Sequence, residues 1–200
     1  MNPMTSSEYF DHLLQVITGP RFLNMEGLGN ETPFYICPYP PEKAVEMDAM
    51  IRRLIRKLET EHGVQVLTID LYDLAIELLQ ERGIFQQILN VEPELSKEEL
   101  LELLQSVLDP EEHLAPAILR KTEETTYDVA FITGIGEVFP YIRTHTLLNN
   151  LQTPLSHRPM LFFFPGKYTP ASEAGASLDL FGRLHDDRYY RAFNILEVTP

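Results

Sequence analysis

Four short apolar runs, Phe34 to Cys37, Val64 to Leu71, Val129 to Ile135 and Met160 to Phe164, are separated by stretches with helical periodicity. VQVLTIDL, YDVAFITGI and LFFFPG are rich in Val, Ile, Leu and Phe, and are largely continuous rather than alternating. A strand with one wet face alternates, whereas a continuous run suits a strand covered on both faces. The order strand, helix, strand, helices, strand, helix, strand is that of βα crossovers. It predicts an α/β fold: an open, mainly parallel sheet of at least four strands with helices on both faces.

The helical stretches carry their own punctuation. PPEKAVEMDAMIRRLIRKLETEHG places Ala44, Met47, Ile51, Leu54, Ile55 and Leu58 near one face, with Pro41 in the first turn and Gly63 at the stop. YDLAIELLQERGIFQQIL follows the second strand, with Gly83 as a break. SKEELLELLQSVL opens on a Ser96–Glu99 capping box. DPEEHLAPAIL offers a second start, with Asp109 as cap, Pro110 in the first position and Glu112 as reciprocal partner. GEVFPYIRTHTLLNNL is expected to form the helix after the third strand, with Pro140 in its first turn. The span Asp73 to Thr126 exceeds what one crossover needs, so Leu95 to Lys121 reads as a helical insertion, about residues 92–124, on one α/β domain covering 1–200. From Glu92 to Glu124 there are 10 acidic and 3 basic residues, a net of −7, half the formal charge of −14. Such a run forms a solvated face or a docking surface for a basic partner.

The acidic balance also restricts function. A surface of this sign repels phosphate backbones at long range, which disfavours direct nucleic-acid binding. One cysteine, Cys37, excludes an internal disulfide and a cysteine-rich zinc site, and fits a reducing compartment. MNPMTSSEYFDHLLQ lacks the basic start and apolar run of a signal peptide, and no apolar stretch approaches the roughly 20 residues of a membrane span. The expectation is a cytoplasmic protein. Its two ends, Met1 to Ser6 and Thr199 to Pro200, are expected to be loose.

Open parallel sheets bind ligands beyond the carboxyl ends of their strands. Those ends are expected at Cys37-Pro38, Asp70-Leu71, Gly134 to Glu137 and Pro165 to Lys167, with Asp70, Gly134 and Gly166 toward one edge. TGIGEVFP comes closest to a phosphate loop, through Gly134 and Gly136. Phe139 occupies the third glycine position, however, and Glu137 puts a negative charge where phosphate would sit. FFPGKYT fails the phosphate-loop pattern because Tyr168 separates Lys167 from Thr169. The six histidines show no metal-ligand spacing. Cys37 has no recognisable His partner and reads as a packed thiol. No complete catalytic, cofactor or metal constellation emerges.

The closing segment GASLDLFGRLHDDRYYRAFNI mixes an apolar entry with His185, Asp186 and Asp187 and an Arg/Tyr run. Gly175 and Ala176 permit a tight entry, and Leu178, Leu180, Phe181 and Leu184 are expected to anchor it on the core. Asp186 or Asp187 is expected to cap a helix through RYYRAF. Arg183, Arg188, Tyr189, Tyr190 and Arg191 are the candidate partner-binding residues, since Arg and Tyr are enriched at interface hot spots. Arg188 and Arg191, three apart, would share a helical face. A second basic stretch, Arg52, Arg53, Arg56 and Lys57, decorates the exposed side of a helix.

Four phrases, RFLNMEGLGNETPFYICPYPPEKAVEMD, LYDLAIELLQERGIFQQIL, FITGIGEVFPYIRTHTLLNNLQ and GASLDLFGRLHDDRYYRAFNI, together resemble the BrxB family. That family is the B component of BREX bacteriophage-exclusion systems, long known only as a domain of unknown function. The resemblance runs from about Tyr9 to Glu197. It implies a bacterial anti-phage defence factor whose partners are other BREX proteins: a methyltransferase, a large ATPase and, chiefly, the alkaline-phosphatase-like PglZ. It supplies no catalytic residues. The reading is a non-catalytic α/β adaptor; the alternative is a nucleotide-binding or nucleic-acid-processing subunit using Gly134, Gly136 and the strand-end crevice.

Overall fold

The computed structural model describes residues 5–26, 33–151, 158–172, 175–182, 184–186 and 192–200. Each of the four apolar runs forms a strand: β1 (Phe34–Tyr39), β2 (Val66–Asp70), β3 (Val129–Thr133) and β4 (Met160–Ser172). With a short β7 (Phe193–Asn194) they make a parallel sheet in the order β2-β3-β4-β1-β7. Register aligns Asp70 with Thr133, Ile132 with Phe162, and Cys37 with Phe163.

Both faces of this sheet are covered, and side chains alternate between them as the pleat requires. Phe34, Ile36, Ala130, Ile132, Met160 and Phe162 point to one core. Tyr35, Cys37, Phe131, Leu161 and Phe163 point to the other. The second core is closed by α1 (Ser6–Thr18), α2 (Pro20–Leu23) and α3 (Ala44–His62), which bury Leu13, Ile17, Phe22, Leu54 and Leu58. The first is closed by α4 (Leu71–Glu81), α5 (Phe85–Val91), α7 (Ala115–Glu124) and α8 (Thr144–Leu151). Two apolar cores explain why β1, β3 and β4 read as unbroken runs. β2 is the exception: it lies at the edge, where Thr68 is exposed and Val66 and Leu67 are half-buried.

α3 follows a turn at Pro41–Lys43 and stops at Gly63, and Met47, Ile51, Leu54 and Leu58 are its buried face. α1 is not among the helices expected above, and Ser6, expected to be loose, is its first residue. The start is marked by a capping box: Thr5 N donates to Glu8 Oε2 at 2.8 Å, and Glu8 N to Thr5 Oγ1 at 3.3 Å. The stretch expected to be a helical insertion holds α6 (Lys97–Val107), a wide turn at Pro110–Leu114 and α7. Ser96 and Glu99 form the expected capping box. Asp109 Oδ1 accepts from the backbone N of Glu111 and of Glu112, both at 2.9 Å, so Glu112 takes part through its amide. Leu114, Ala117 and Ile118 enter the core, while α6 has no fully buried residue. Lys121 Nζ lies 2.7 Å from Glu77 Oε2, and Arg120 3.0 Å from Glu81 Oε2, joining α7 to α4.

Three expectations are corrected. The helix after β3 does not run through GEVFPYI: residues 135–143 form turns, and α8 begins at Thr144. Pro140 lacks an N–H and disfavours helical backbone at the residue before it, which holds Phe139 out of a helix. β4 does not end near Phe164 but continues to Ser172, and its second half pairs antiparallel with β5 (Gly175–Leu180). β5 then pairs antiparallel with β6 (Leu184–Asp186). The hairpin arises because SLDL alternates: Leu178 and Leu180 are buried, and Ser177 and Asp179 are half-buried. Asp186 is therefore a strand residue rather than a helix cap. Asp187 lies outside the described residues, and so does most of RYYRAF.

Candidate functional site

The chain path creates a crevice at the carboxyl edge of the sheet. β1 leads through α3, on one face, to the far edge strand β2; the chain then returns by β3 and β4 through helices on the other face. The connections leaving β1 and β3 thus depart to opposite sides and open a gap above β4, which lies between them. This is the topological switch point at which open α/β sheets take ligands. The crevice has a volume of about 160 Å³. Its walls are Tyr39, Asp48 and Ile51 from β1 and α3, the loop Thr133 to Glu137, and Phe163, Pro165 and Phe181 below.

Asp70 and Gly134 meet at this edge as expected. Asp70 Oδ1 caps α4, accepting from Tyr72 N at 2.9 Å and Asp73 N at 3.1 Å, and its Oδ2 accepts from Thr133 Oγ1 at 2.8 Å. Gly134 has φ +72°, and a Cβ there would fall 2.7 Å from Asp70 Oδ1. A Cβ on Gly136 would fall 3.0 Å from the Pro165 ring and 3.2 Å from Phe181. Both glycines therefore serve close packing of the loop on its neighbours. Gly166 is near the same edge but inside β4, paired with Leu180, rather than at a strand end.

The electrostatics of the crevice oppose phosphate. Burial, then the carboxylates of Asp70, Asp48 and Asp73, push the Glu137 carboxyl above its ordinary range. Burial, followed by Asp48, Cys37 and Glu137, pushes the Tyr39 phenol up to about 12. Small-molecule pockets usually span roughly 300–1,000 Å³. This crevice is about half the lower bound, and its charge has the wrong sign for a nucleotide.

The remaining candidates fall elsewhere. Arg183, Arg188, Tyr189, Tyr190 and Arg191 lie outside the described residues. Leu178 and Leu180 anchor the hairpin, but Phe181 does not: it is 37% exposed on the β5–β6 turn, its ring set edge-on to Phe139 at 6.2 Å. On α3 the Arg53 guanidinium covers the Phe10 ring at 4.4 Å, and Lys57 pairs with Glu61 at 3.7 Å. Among the described residues, no group of three or more His, Cys, Asp or Glu side chains is placed to hold a metal ion, and no helix is long and apolar enough to cross a membrane. Residues the sequence did not single out, Tyr39 and Asp48, are the ones that complete the crevice with Glu137.

Cys37 is fully buried, 3.0 Å from Tyr9 Oη, and burial pushes its thiol up to about 12. Thiolate is the reactive form. The native protein is therefore expected to resist iodoacetamide at pH 8 and to be alkylated promptly in 6 M guanidinium (~6 M, above most domain midpoints). Rapid labelling of folded protein would show that Cys37 is accessible.

The sequence comparisons agree with one another. The family model for BREX protein BrxB matches residues 67–195. The BREX protein BrxB of Bacillus cereus (strain H3081.97) is 33% identical over 192 residues, covering 96% of this chain and 97% of the relative. The BREX protein BrxB of Escherichia coli O9:H4 (strain HS) is 31% identical over 183 residues, covering 92% and 88%. No solved structure matches the chain.

Proposed function

The chain belongs to the BrxB family of BREX proteins, and on that premise we propose that it serves anti-phage defence as a non-catalytic adaptor docking other BREX proteins, chiefly the PglZ-like component. The observation that carries this reading is the acidic helical insertion. α6 has no fully buried residue, yet Leu100, Leu103, Leu104 and Val107 rest on a core that holds the buried Leu114 and Ile118. The span it belongs to carries half the chain's net charge. An exposed acidic element on a rigid base steers and orients a basic partner. The alternative, a nucleotide-binding subunit acting through Gly134 and Gly136, is disfavoured by the acidic walls and small volume of the crevice.

The test is co-purification with tagged BREX components from cells carrying the whole system. A complex with the PglZ-like protein that survives to gel filtration supports the adaptor; its absence with every component overturns it. The Arg/Tyr segment extends the proposal. Arg188→Glu with Arg191→Glu is expected to weaken that complex at least tenfold and to abolish phage resistance, with the melting temperature within about 2 °C of the parent, as for surface substitutions. Loss of folding would make these arginines structural, and intact binding would remove the segment from the interface.

A further inference from the structure

We propose that the crevice above β4 is a socket for one arginine side chain of a partner protein, held by Tyr39, Asp48 and Glu137. This rests on the docking reading above, and names a surface whose lining contains no residue of α6.

Three independent observations converge on it. The first is the place: a preformed gap at the switch point of the sheet, where β1 and β3 send their connections to opposite faces. The second is an unmet hydrogen bond. Tyr39 is only 9% exposed and lines the gap, yet its hydroxyl has no hydrogen-bond partner among the described residues. Buried tyrosine hydroxyls ordinarily find one, and a guanidinium N–H would supply it. The third is charge. Asp48 and Glu137 face the gap from opposite walls, and Asp70 and Asp73 add to the negative potential. Glu137 is itself exposed at the rim; partial desolvation and then the Asp70, Asp48 and Asp73 carboxylates raise its carboxyl, an arrangement that an incoming cation relieves.

Size and shape select the occupant. A space of about 160 Å³ is close to that of the roughly 150 Å³ cavity that accepts one benzene molecule. That suits one planar side-chain head rather than a nucleotide. The guanidinium is planar and always charged, presents donors in a fork, is more weakly hydrated than an ammonium, and stacks on aromatic rings. Phe181, at the lower wall and partly exposed, offers such a ring.

The full-length protein gives the test in two arms. In the first, backbone NMR shifts are followed while N-acetyl-arginine amide is added, with the neutral N-acetyl-citrulline amide in parallel. Saturable shifts at Tyr39, Gly134 and Gly136 are expected with the arginine probe alone, and are expected to vanish in Asp48→Asn/Glu137→Gln. Equal shifts with both probes, or none with either, would overturn the socket. In the second arm, calorimetry measures binding to the BREX component that co-purifies with the chain. The double variant is expected to bind about thirtyfold more weakly, and Tyr39→Phe about fivefold, in the range of close interfacial charge pairs and single hydrogen bonds. Unchanged binding by a folded double variant overturns the socket and leaves the docking reading standing. Failure of the parent protein to bind any component sinks the docking reading instead, and the probe titration still decides the socket. Should the double variant not fold, Tyr39→Phe carries both arms, because it removes the hydroxyl and conserves the ring.

Discussion

Gly134→Val is expected to destabilise the protein by about 3–5 kcal/mol and to lower its melting temperature by roughly 10 °C. Two costs combine. At φ +72° a β-branched residue is strained, at about 1–3 kcal/mol. The new Cβ would also lie 2.7 Å from Asp70 Oδ1 and 2.8 Å from Oδ2, so the carboxylate must leave. Its departure uncaps α4, worth about 1 kcal/mol, and breaks the Thr133 hydrogen bond across β2 and β3. A cycle with Asp70→Ala checks the mechanism. Both changes remove the same cap, so in urea denaturation the double variant should lose less than the sum of the two single variants' losses. Additive losses would show that Gly134 acts through its backbone alone. An unchanged midpoint for Gly134→Val would refute both terms.

How much of this could be read in advance depended on whether the signal was local. Unbroken apolar runs located β1, β3 and β4 because each is wedged between two helical layers. The same run in β2 belongs to an edge strand whose Thr68 is exposed, so continuity alone did not separate centre from edge. Caps were legible at Ser96 and Asp109. The equivalent Thr5–Glu8 signal before α1 is present too, in TSSE, but it sits within polar residues that carry no apolar period. The β5–β6 hairpin was missed for a different reason. SLDL is too short a period-two pattern to outweigh the aromatic and charged residues after it, which suggested a helix. The crevice was half legible. Strand ends place Gly134 to Glu137 at the carboxyl edge of the sheet, and Glu137 reads as hostile to phosphate. Tyr39 and Asp48 gave no signal, because one closes an apolar strand and the other is an ordinary acid on the polar side of α3. Only the jump of the chain from β1 to the far edge, and its return, brings them opposite Glu137.

Gly166→Ala is expected to detach the β5–β6 hairpin from β4 while the parallel sheet persists. A Cβ at Gly166 would stand 2.1 Å from the Asp179 carbonyl oxygen and 2.8 Å from the Phe164 ring. The first is backbone and has no rotamer by which to yield, so even one methyl must push β5 away. Gly166 opposes Leu180, and the next contact along is Phe181 N donating to Pro165 O at 2.8 Å. The displacement therefore also withdraws Phe181 from the floor of the crevice. Hydrogen exchange reads this separation directly. Protection at residues 178–181 should fall about a hundredfold, the signature of local opening, whereas β1 and β3 keep theirs because their partners are untouched. Lys167→Ala, at an exposed neighbouring position, should leave β5 protected. The pair of variants also separates fold from docking. If Gly166→Ala exposes β5 yet leaves binding of the arginine probe intact, then Phe181 is only a lid over the hairpin turn, and the socket consists of Tyr39 and the two carboxylates alone. If protection does not change, the antiparallel half of β4 does not pair as described, and Phe181 is not part of the wall.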